Sequence, residues 1–314
     1  VGFDFRSGGG SAGCLNCHGN SLSLPKALVG PGSTLKDIGP EFKKPYRHPT
    51  MEARGIHSSA EELPETNPRA PRHADCADCH NPHFIVPGNR LAGIKKKTGN
   101  LAAEITHEYE LCYKCHGDSA NLPGLSTNKR VDFALTNPSF HPVEGEGKNQ
   151  QVVSLLKPYK EKKVSPTDVS VIACTTCHSS DNPDSPRGPH GSNYQFILND
   201  NFSVKDSETE STYAYALCYR CHSRTSILSD ESFRYHSIHI RGRGGTSLSA
   251  SGTSCYTCHS SHGSPEYKYL IRFNKNVVTP NSKGLLKFVE KGVSAFHGEC
   301  YLSCHGVDHN PKSY

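Results

Sequence analysis

The sequence contains no tryptophan and a single methionine, Met51, and only 34% of its 314 residues are hydrophobic. Twelve phenylalanines and fourteen tyrosines supply nearly all of its aromatic surface. No apolar run approaches the roughly 18 residues that a bilayer-spanning helix needs, so nothing visible anchors the chain in lipid. Glycine and proline are abundant instead, at 28 and 21 residues. A chain this polar and rich in turns buries too little apolar surface to offset its conformational entropy. Such a chain is either largely disordered or built around something that is not protein.

The fourteen cysteines decide between these. They fall into seven close pairs, Cys14/Cys17, Cys76/Cys79, Cys112/Cys115, Cys174/Cys177, Cys218/Cys221, Cys255/Cys258 and Cys300/Cys304, with none left over. A histidine follows each pair directly: His18, His80, His116, His178, His222, His259 and His305. C-x-x-C-H is the attachment signature of c-type haem. The thiols form thioethers with the porphyrin, and the adjacent histidine ligates the iron from the proximal side. Zinc knuckles also use C-x-x-C, but they need pairs that meet in fours and give no reason for a histidine after every second cysteine. Disulfides across two residues would be strained. The last motif, Cys300 to His305, has one extra residue between its cysteines and is read as a working seventh site whose enlarged loop spans Tyr301–Ser303.

Seven covalently bound haems c supply the missing core. The fold expected is mostly irregular, with short α-helices and few short strands, wrapped around a haem chain. The formal charge of +5 is then misleading. A ferric bis-histidine haem with two ionised propionates carries about one negative charge, so seven offset the basic excess. Lys95–Lys97 and Lys160–Lys163 are read as solvated or propionate-facing runs, and nucleic acid is not an expected partner. Covalent haem attachment takes place outside the cytoplasm, which implies an exported protein whose signal was removed.

The motifs are organised in pairs. Cys14 to Cys76 and Cys112 to Cys174 both span 62 residues, and Cys218 to Cys255 is a shorter version. The modules expected are an N-terminal arm at 1–13, two-haem modules at 14–111, 112–217 and 218–295, and a terminal single-haem segment at 296–314. AEITHEYELCYKCH and ESTYAYALCYRCH are predicted to be short helices leading into a motif. The apolar runs at 84–86, 194–198 and 269–273 are predicted to be short strands. The arm, VGFDF before a glycine run, has the alternation of a strand that could pair with a neighbouring molecule.

Twelve of nineteen histidines lie outside the motifs, more than enough for a second ligand on every iron. His48 and His141 stand before proline at matching places after the first motif of a module. Either His236 or His239 takes that place in the third module, leaving the other for a further haem. His83, His190 and His262 follow second motifs. His83 and His262, three residues past a proximal histidine, must reach an adjacent haem rather than their own. The seventh haem could draw on His297, His309 or another subunit. His57, His107 and His309 are otherwise read as non-ligating, His73 carries no assignment, and Met51 is read as a packing residue.

ELCYKCHG, FHPV, ACTTCH, YHSIHIRG and SCYTCHSSHG together resemble the doubled-CXXCH multihaem cytochromes of metal-reducing prokaryotes. That group includes extracellular cytochromes that polymerise into filaments. The resemblance implies electron transfer at the cell surface or beyond it, with the periplasm as the alternative. The partners it implies are other redox proteins, extracellular acceptors and, in a filament, copies of the same chain. No C-x-x-C-K occurs and histidine is in surplus, so a reductase with an open haem site is the weaker expectation and no catalytic residue is assigned.

Overall fold

The computed structural model describes residues 11–19, 36–50, 63–70, 74–84, 86–98, 101–122, 126–149, 151–242, 252–291 and 297–314. Residues 1–10 of the arm, Met51, His57, His73 and the middle residue of the 84–86 run lie outside this set, while 11–13 of the arm begin a helix.

The elements, in chain order, are α1 (Ser11–His18), β1 (Tyr46–Arg47), α2 (Cys76–Cys79), β2 (Lys95–Thr98), β3 (Leu101–Glu104), α3 (Glu108–His116), α4 (Lys129–Asp132), β4 (Ser139–Phe140), β5 (Gly191–Ser192), α5 (Ala216–Tyr219), α6 (Arg224–Leu228), α7 (His236–Arg241), α8 (Cys255–Cys258), β6 (Gly263–Ser264), β7 (Lys287–Glu290), β8 (Gly298–Cys304) and β9 (Val307–Ser313). Among the described residues no helix exceeds nine residues, and none is long and apolar enough to cross a membrane. This is the mostly irregular architecture that the composition implied.

The chain divides into two compact units. Unit 1 comprises residues 1–131 and 173–200, and unit 2 comprises 132–172 and 201–314. The first four motifs fall in unit 1 and the last three in unit 2, so both units are discontinuous in sequence.

Each unit contains the same local construction. In unit 1, β1 pairs with β5 through Tyr46↔Ser192 and Arg47↔Gly191, and His48 follows directly. In unit 2, β4 pairs with β6 through Ser139↔Ser264 and Phe140↔Gly263, and His141 follows. Ser192 Oγ donates to the Leu198 carbonyl at 2.5 Å, and Ser264 Oγ donates to that of Ile271 at 2.6 Å. An acidic residue is buried against each pair. Glu41 is held by Lys44 and Ser185, and Asp132 by Arg272 at 2.7 Å. A Cβ on Gly191 would overlap the Glu41 carbonyl oxygen, and one on Gly263 would overlap that of Asp132. Only glycine allows the backbones to meet at these two points.

The apolar runs at 194–198 and 269–273 are not strands, contrary to their β-like composition. Phe196 and Ile197 adopt φ of 64° and 56°, and Tyr269 and Leu270 adopt 58° and 58°. The run bends through two left-handed residues, a conformation rare for bulky side chains. Tertiary demands override local propensity here, because each bend aims a carbonyl at a proximal histidine. Of the 84–86 run, Val86 forms only an isolated bridge with Asn89.

The protein's own apolar core is small. In unit 2, Ala214, Tyr215, Leu228 and Ile240 are buried together, and Cys218 and Cys255 pack against them beside Phe202, Tyr219 and Ile227. The apolar cluster therefore ends at motif cysteines.

Candidate haem sites

Six of the seven motifs begin on a tight helical turn. Their first cysteines, Cys14, Cys76, Cys112, Cys174, Cys218 and Cys255, lie in α1, α2, α3, a 3-10 turn at Cys174–Thr176, α5 and α8. The second cysteine is not always inside the same element. Cys17, Cys79, Cys115 and Cys258 are, whereas Cys177 caps the 3-10 turn and Cys221 stands two residues past α5. Both of these continue the turn nonetheless, because the Cys177 N–H donates to the Cys174 carbonyl and the Cys221 N–H to that of Cys218, each at 3.2 Å. Their own carbonyls accept from Asn199 and Leu156, at 2.9 Å in both cases. Cys79 and Cys115 are exposed, Cys177 and Cys221 half-buried. The side chain of Cys17 lies outside the described set, so its expected attachment role has only a backbone position in α1 beside it.

In four motifs the proximal histidine N–H donates to the carbonyl of the first cysteine, at 2.9–3.0 Å: His80 to Cys76, His178 to Cys174, His222 to Cys218 and His259 to Cys255. This i→i−4 bond closes the loop. Residues i, i+3 and i+4 then share one side of the turn, so both thiols and the imidazole face the same way. Asp75 caps α2 by accepting from the Ala77 N–H.

The proximal rings are oriented from behind. His178 Nδ1 donates to the Phe196 carbonyl at 2.8 Å, and His259 Nδ1 to the Tyr269 carbonyl at 2.8 Å. His222 Nδ1 hydrogen-bonds with Ser154 Oγ at 3.0 Å. A carbonyl behind Nδ1, as at His178 and His259, fixes the tautomer and presents Nε2 as the free donor, the usual arrangement behind a ligating histidine. The non-motif histidines are held in the same way. His48 Nδ1 donates to the Pro189 carbonyl and His141 Nδ1 to that of Ser261, both at 2.7 Å.

These rings meet in pairs. His48 faces His116 with centroids 6.3 Å apart, His190 faces His80 at 6.1 Å, His141 faces His222 at 6.4 Å and His236 faces His259 at 6.4 Å. A fifth pair, His239 and His309, also stands at 6.4 Å. A nitrogen lies about 1.2 Å from its ring centre and a metal–imidazole bond is about 2 Å, so trans imidazoles on one ion have centroids about 6.4 Å apart. Other ring pairs in the protein are more scattered, from 4.5 Å for Phe233 and Tyr314 to 6.5 Å for Phe202 and Tyr256. The five histidine pairs occupy a narrow band at the spacing that an ion requires.

Burial keeps these imidazoles neutral, as a ligand must be. It lowers His116, His190 and His222 to about 4 and His236 to about 3, with the facing histidine adding to the shift in His116, His190 and His222 and His259 doing so for His236. Among the described residues, no three His, Cys, Asp or Glu side chains converge on a metal-sized space. A zinc-knuckle arrangement is therefore absent there. Two opposed imidazoles leave four equatorial positions for a planar ligand, and the clasp of two thiols beside one imidazole fits a covalently held porphyrin.

The motifs follow one another in space within each unit. In unit 1, a hydrogen bond with Cys174 and burial raise the Cys112 thiol, and Cys79 is near enough to add to this. Glu108, at the start of α3, accepts from Thr175 N–H at 2.8 Å and from its hydroxyl at 3.0 Å, fastening the third motif to the fourth. In unit 2, Cys255 hydrogen-bonds with Cys218. Burial pushes Cys258 up to about 12, with Cys300 and Cys304 contributing from nearby. None of the described cysteines forms a disulfide.

The seventh motif differs from the others. Cys300 and Cys304 lie on strand β8 rather than in a helical turn. Three helical residues rise about 4.5 Å and four extended ones about 13 Å, so this clasp is far wider. As folded, it does not reproduce the close clasp of the other six.

The remaining expected ligands are placed as follows. His83 is exposed, its N–H bonded to Asn81 Oδ1. His262 packs edge-on against Phe133, as His190 does against Phe42, and its carbonyl accepts from the His141 N–H. His297 is exposed, with Nδ1 donating to the Tyr314 carbonyl at 3.2 Å. His107 lies at the N-terminal cap of α3. The pairing of His309 with His239 was not anticipated. His309 stood among the candidates for the seventh haem, but its sequence signal, a histidine four residues downstream of a motif that departs from the pattern, does not point to His239.

A family model described as outer membrane cytochrome MtrC/MtrF-like, domains II/IV, matches residues 72–270. No curated protein matched the chain, and no solved structure did.

Proposed function

Because the chain belongs to the MtrC/MtrF-like outer-membrane cytochromes, a family of electron carriers rather than catalysts, we propose that it conducts electrons along seven closely spaced bis-histidine haems outside the cell. The observation that carries this reading is the set of opposed histidines at 6.1–6.4 Å, four of which include a motif histidine. Each haem iron would cycle between ferric and ferrous states, which is the only chemistry this function requires.

Thioether attachment belongs to the same proposal. The described thiols are all outside disulfides, which leaves them available for it. The clasps that would hold the first six haems are Cys14 with Cys17, Cys76 with Cys79, Cys112 with Cys115, Cys174 with Cys177, Cys218 with Cys221 and Cys255 with Cys258. Cys300 and Cys304 would hold the seventh from their strand.

The protein's residues fix where the irons sit. The carbonyls of Phe196 and Tyr269 and the hydroxyl of Ser154 orient the proximal rings and raise their basicity, which favours the ferric state. His48, His141, His190 and His236 would hold the irons from the side facing each motif histidine and so would leave no coordination site for a substrate. Contacts between successive motifs, Cys112 with Cys174 and Cys218 with Cys255, keep neighbouring sites close. Exchange with redox partners or extracellular acceptors would take place at exposed haem edges.

The distal candidates we propose are His48, His83, His141, His190, His236, His239, His262 and His297. Of these, His48, His141, His190, His236 and His239 already face another histidine. The location is extracellular or at the cell surface. Polymerisation into a filament is the extension of this reading, and electron microscopy of concentrated protein decides it: filaments support it, and uniform single particles oppose it.

The central test is a haem count by pyridine haemochrome, combined with carbon monoxide titration of the reduced protein. Seven haems and no stoichiometric carbon monoxide binding are expected. An open site in the native protein would overturn the bis-histidine carrier in favour of a reductase.

A further inference from the structure

In the seventh motif, the histidine that follows the second cysteine faces no other histidine ring among the described residues. His305 and Gly306 form the two-residue turn between β8 and β9, with φ of 49° and 74°. Positive φ at both positions is the requirement of the tight hairpin turn. His305 Nε2, the nitrogen that would face iron in the other motifs, instead bonds to Asp206 Oδ1 at 3.1 Å. The side chain is committed to a carboxylate.

Another histidine stands where the ligand should be. In the hairpin, Leu302 pairs with His309 and Cys304 with Val307. Alternation along β8 puts Leu302 and Cys304 on one side, and a paired residue projects to the same side as its partner; the register shifts only beyond Leu302, towards Cys300. His309 therefore rises on the face of the hairpin that carries Cys304. It meets His239 at 6.4 Å, within the 6.1–6.4 Å range of the four pairs that contain a motif histidine. His309 Nδ1 is buried with no hydrogen-bond partner among the described residues. His239 is anchored, with its Nδ1 donating to the Tyr235 carbonyl at 2.6 Å.

Helix α7 supplies the reason for the pairing. His236 and His239 are three residues apart and share one face of the helix. His236 faces the sixth motif through His259, so His239 is carried to the neighbouring position. Phe233 fixes this corner by packing on Tyr314 at 4.5 Å and on His236 at 5.1 Å. The C-terminal strand and the ligand helix are thereby joined.

We infer that the seventh haem is ligated by His309 and His239, and that His305, despite its place in the motif, is a turn residue held by Asp206. The inference rests on the haem reading proposed above. The wide clasp on β8 and the cross-strand ligand belong together: a motif opened into a strand loses the ligand at its end and takes one from the facing strand.

The test uses the full-length, haem-loaded protein. His309→Met leaves the attachment motif intact. It is expected to convert one haem to methionine ligation, which raises the potential of that haem alone. His239→Ala is expected to leave one iron five-coordinate, with a new high-spin ferric signal and one carbon monoxide bound per molecule after reduction. His305→Ala is expected to retain seven low-spin haems. Intact mass separates the two levels of failure. Six haems with unmodified Cys300 and Cys304 would remove the seventh haem and this inference together. Seven haems with an unchanged spectrum and potential in His309→Met would overturn the ligand assignment and leave the carrier reading standing. A high-spin haem in His305→Ala would restore the adjacent histidine as ligand.

Discussion

His48 faces His116 at 6.3 Å, so a histidine that follows the first motif closes on the third. The same relation recurs in unit 2, where His141, preceding the fourth motif, closes on His222 of the fifth. These histidines reach past their nearest motif in both units, and each such pair ties together stretches of chain that are remote in sequence.

Removing one of these ligands is expected to open one iron without detaching its haem. His48→Ala and His141→Ala should each retain the wild-type haem content while binding about one carbon monoxide per molecule when reduced, because only the distal bond is lost. Titration of the ferrous proteins checks this. Unchanged, fully low-spin variants would show that these histidines are not ligands.

The support behind a proximal ring should be visible in a potential. His222 is the proximal histidine whose Nδ1 meets a side-chain hydroxyl, that of Ser154, at 3.0 Å. Ser154→Ala removes that partner and makes the ring a weaker donor to ferric iron. If the bond is worth about 1 kcal/mol, one haem should shift upward by about 40 mV. Spectroelectrochemistry should show a single displaced component, and a uniform shift of all haems would point to general loosening instead.

Two glycines should be unreplaceable for one reason. Gly191→Ala and Gly263→Ala each force a methyl against a backbone carbonyl, of Glu41 or of Asp132. Overpacking of this kind costs about 1–3 kcal/mol, which should lower the thermal midpoint by several degrees. Equal effects from the two substitutions, measured by calorimetry, would bear out the structural duplication of the units. A neutral result at either site would argue against that close approach.

Acid should loosen the approach to the third motif. Burial alone would raise the Glu110 carboxyl, but hydrogen bonds from Lys96, Thr106 and the His107 N–H outweigh it and hold the pKa at about 2. A carboxyl lowered on folding contributes stability that is complete above its ordinary value near 4.5 and lost as pH falls towards 2. The wild-type thermal midpoint should decline across that window, and that of Glu110→Gln should decline less. Parallel profiles would rule out the contribution.

What could be read from the sequence was what depends on local spacing. C-x-x-C-H closes a helical turn because its residues face one way at that separation, so six clasps were legible from cysteine positions. How far each helix runs was less legible, since Cys115 ends inside α3 while Cys177 and Cys221 stand beyond their elements. The likeness of His48-Pro and His141-Pro was legible too, and both now stand after equivalent strand pairs. Their partners were not, since His48 to His116 is a tertiary contact with no local signature. The runs at 194–198 and 269–273 have the composition of strands, yet they bend left-handed because the rings of His178 and His259 each need a carbonyl behind them. The extra residue before Cys304 was visible as an insertion, but its effect depends on β7 and β9 flanking β8, which no spacing rule contains.

The order of ligand and motif along the chain has a consequence for how the protein is assembled. A polypeptide exported N-terminus first presents His48 before Cys112, His141 before Cys218 and His236 before Cys255. Were haems attached there as proposed, their second ligand would already be outside. His80 is the exception, for its partner His190 emerges only after two further motifs have passed. Of the paired sites, a haem at the second motif would therefore wait longest with an open face. It is the point at which an interrupted or truncated chain would be most exposed to oxygen and stray ligands.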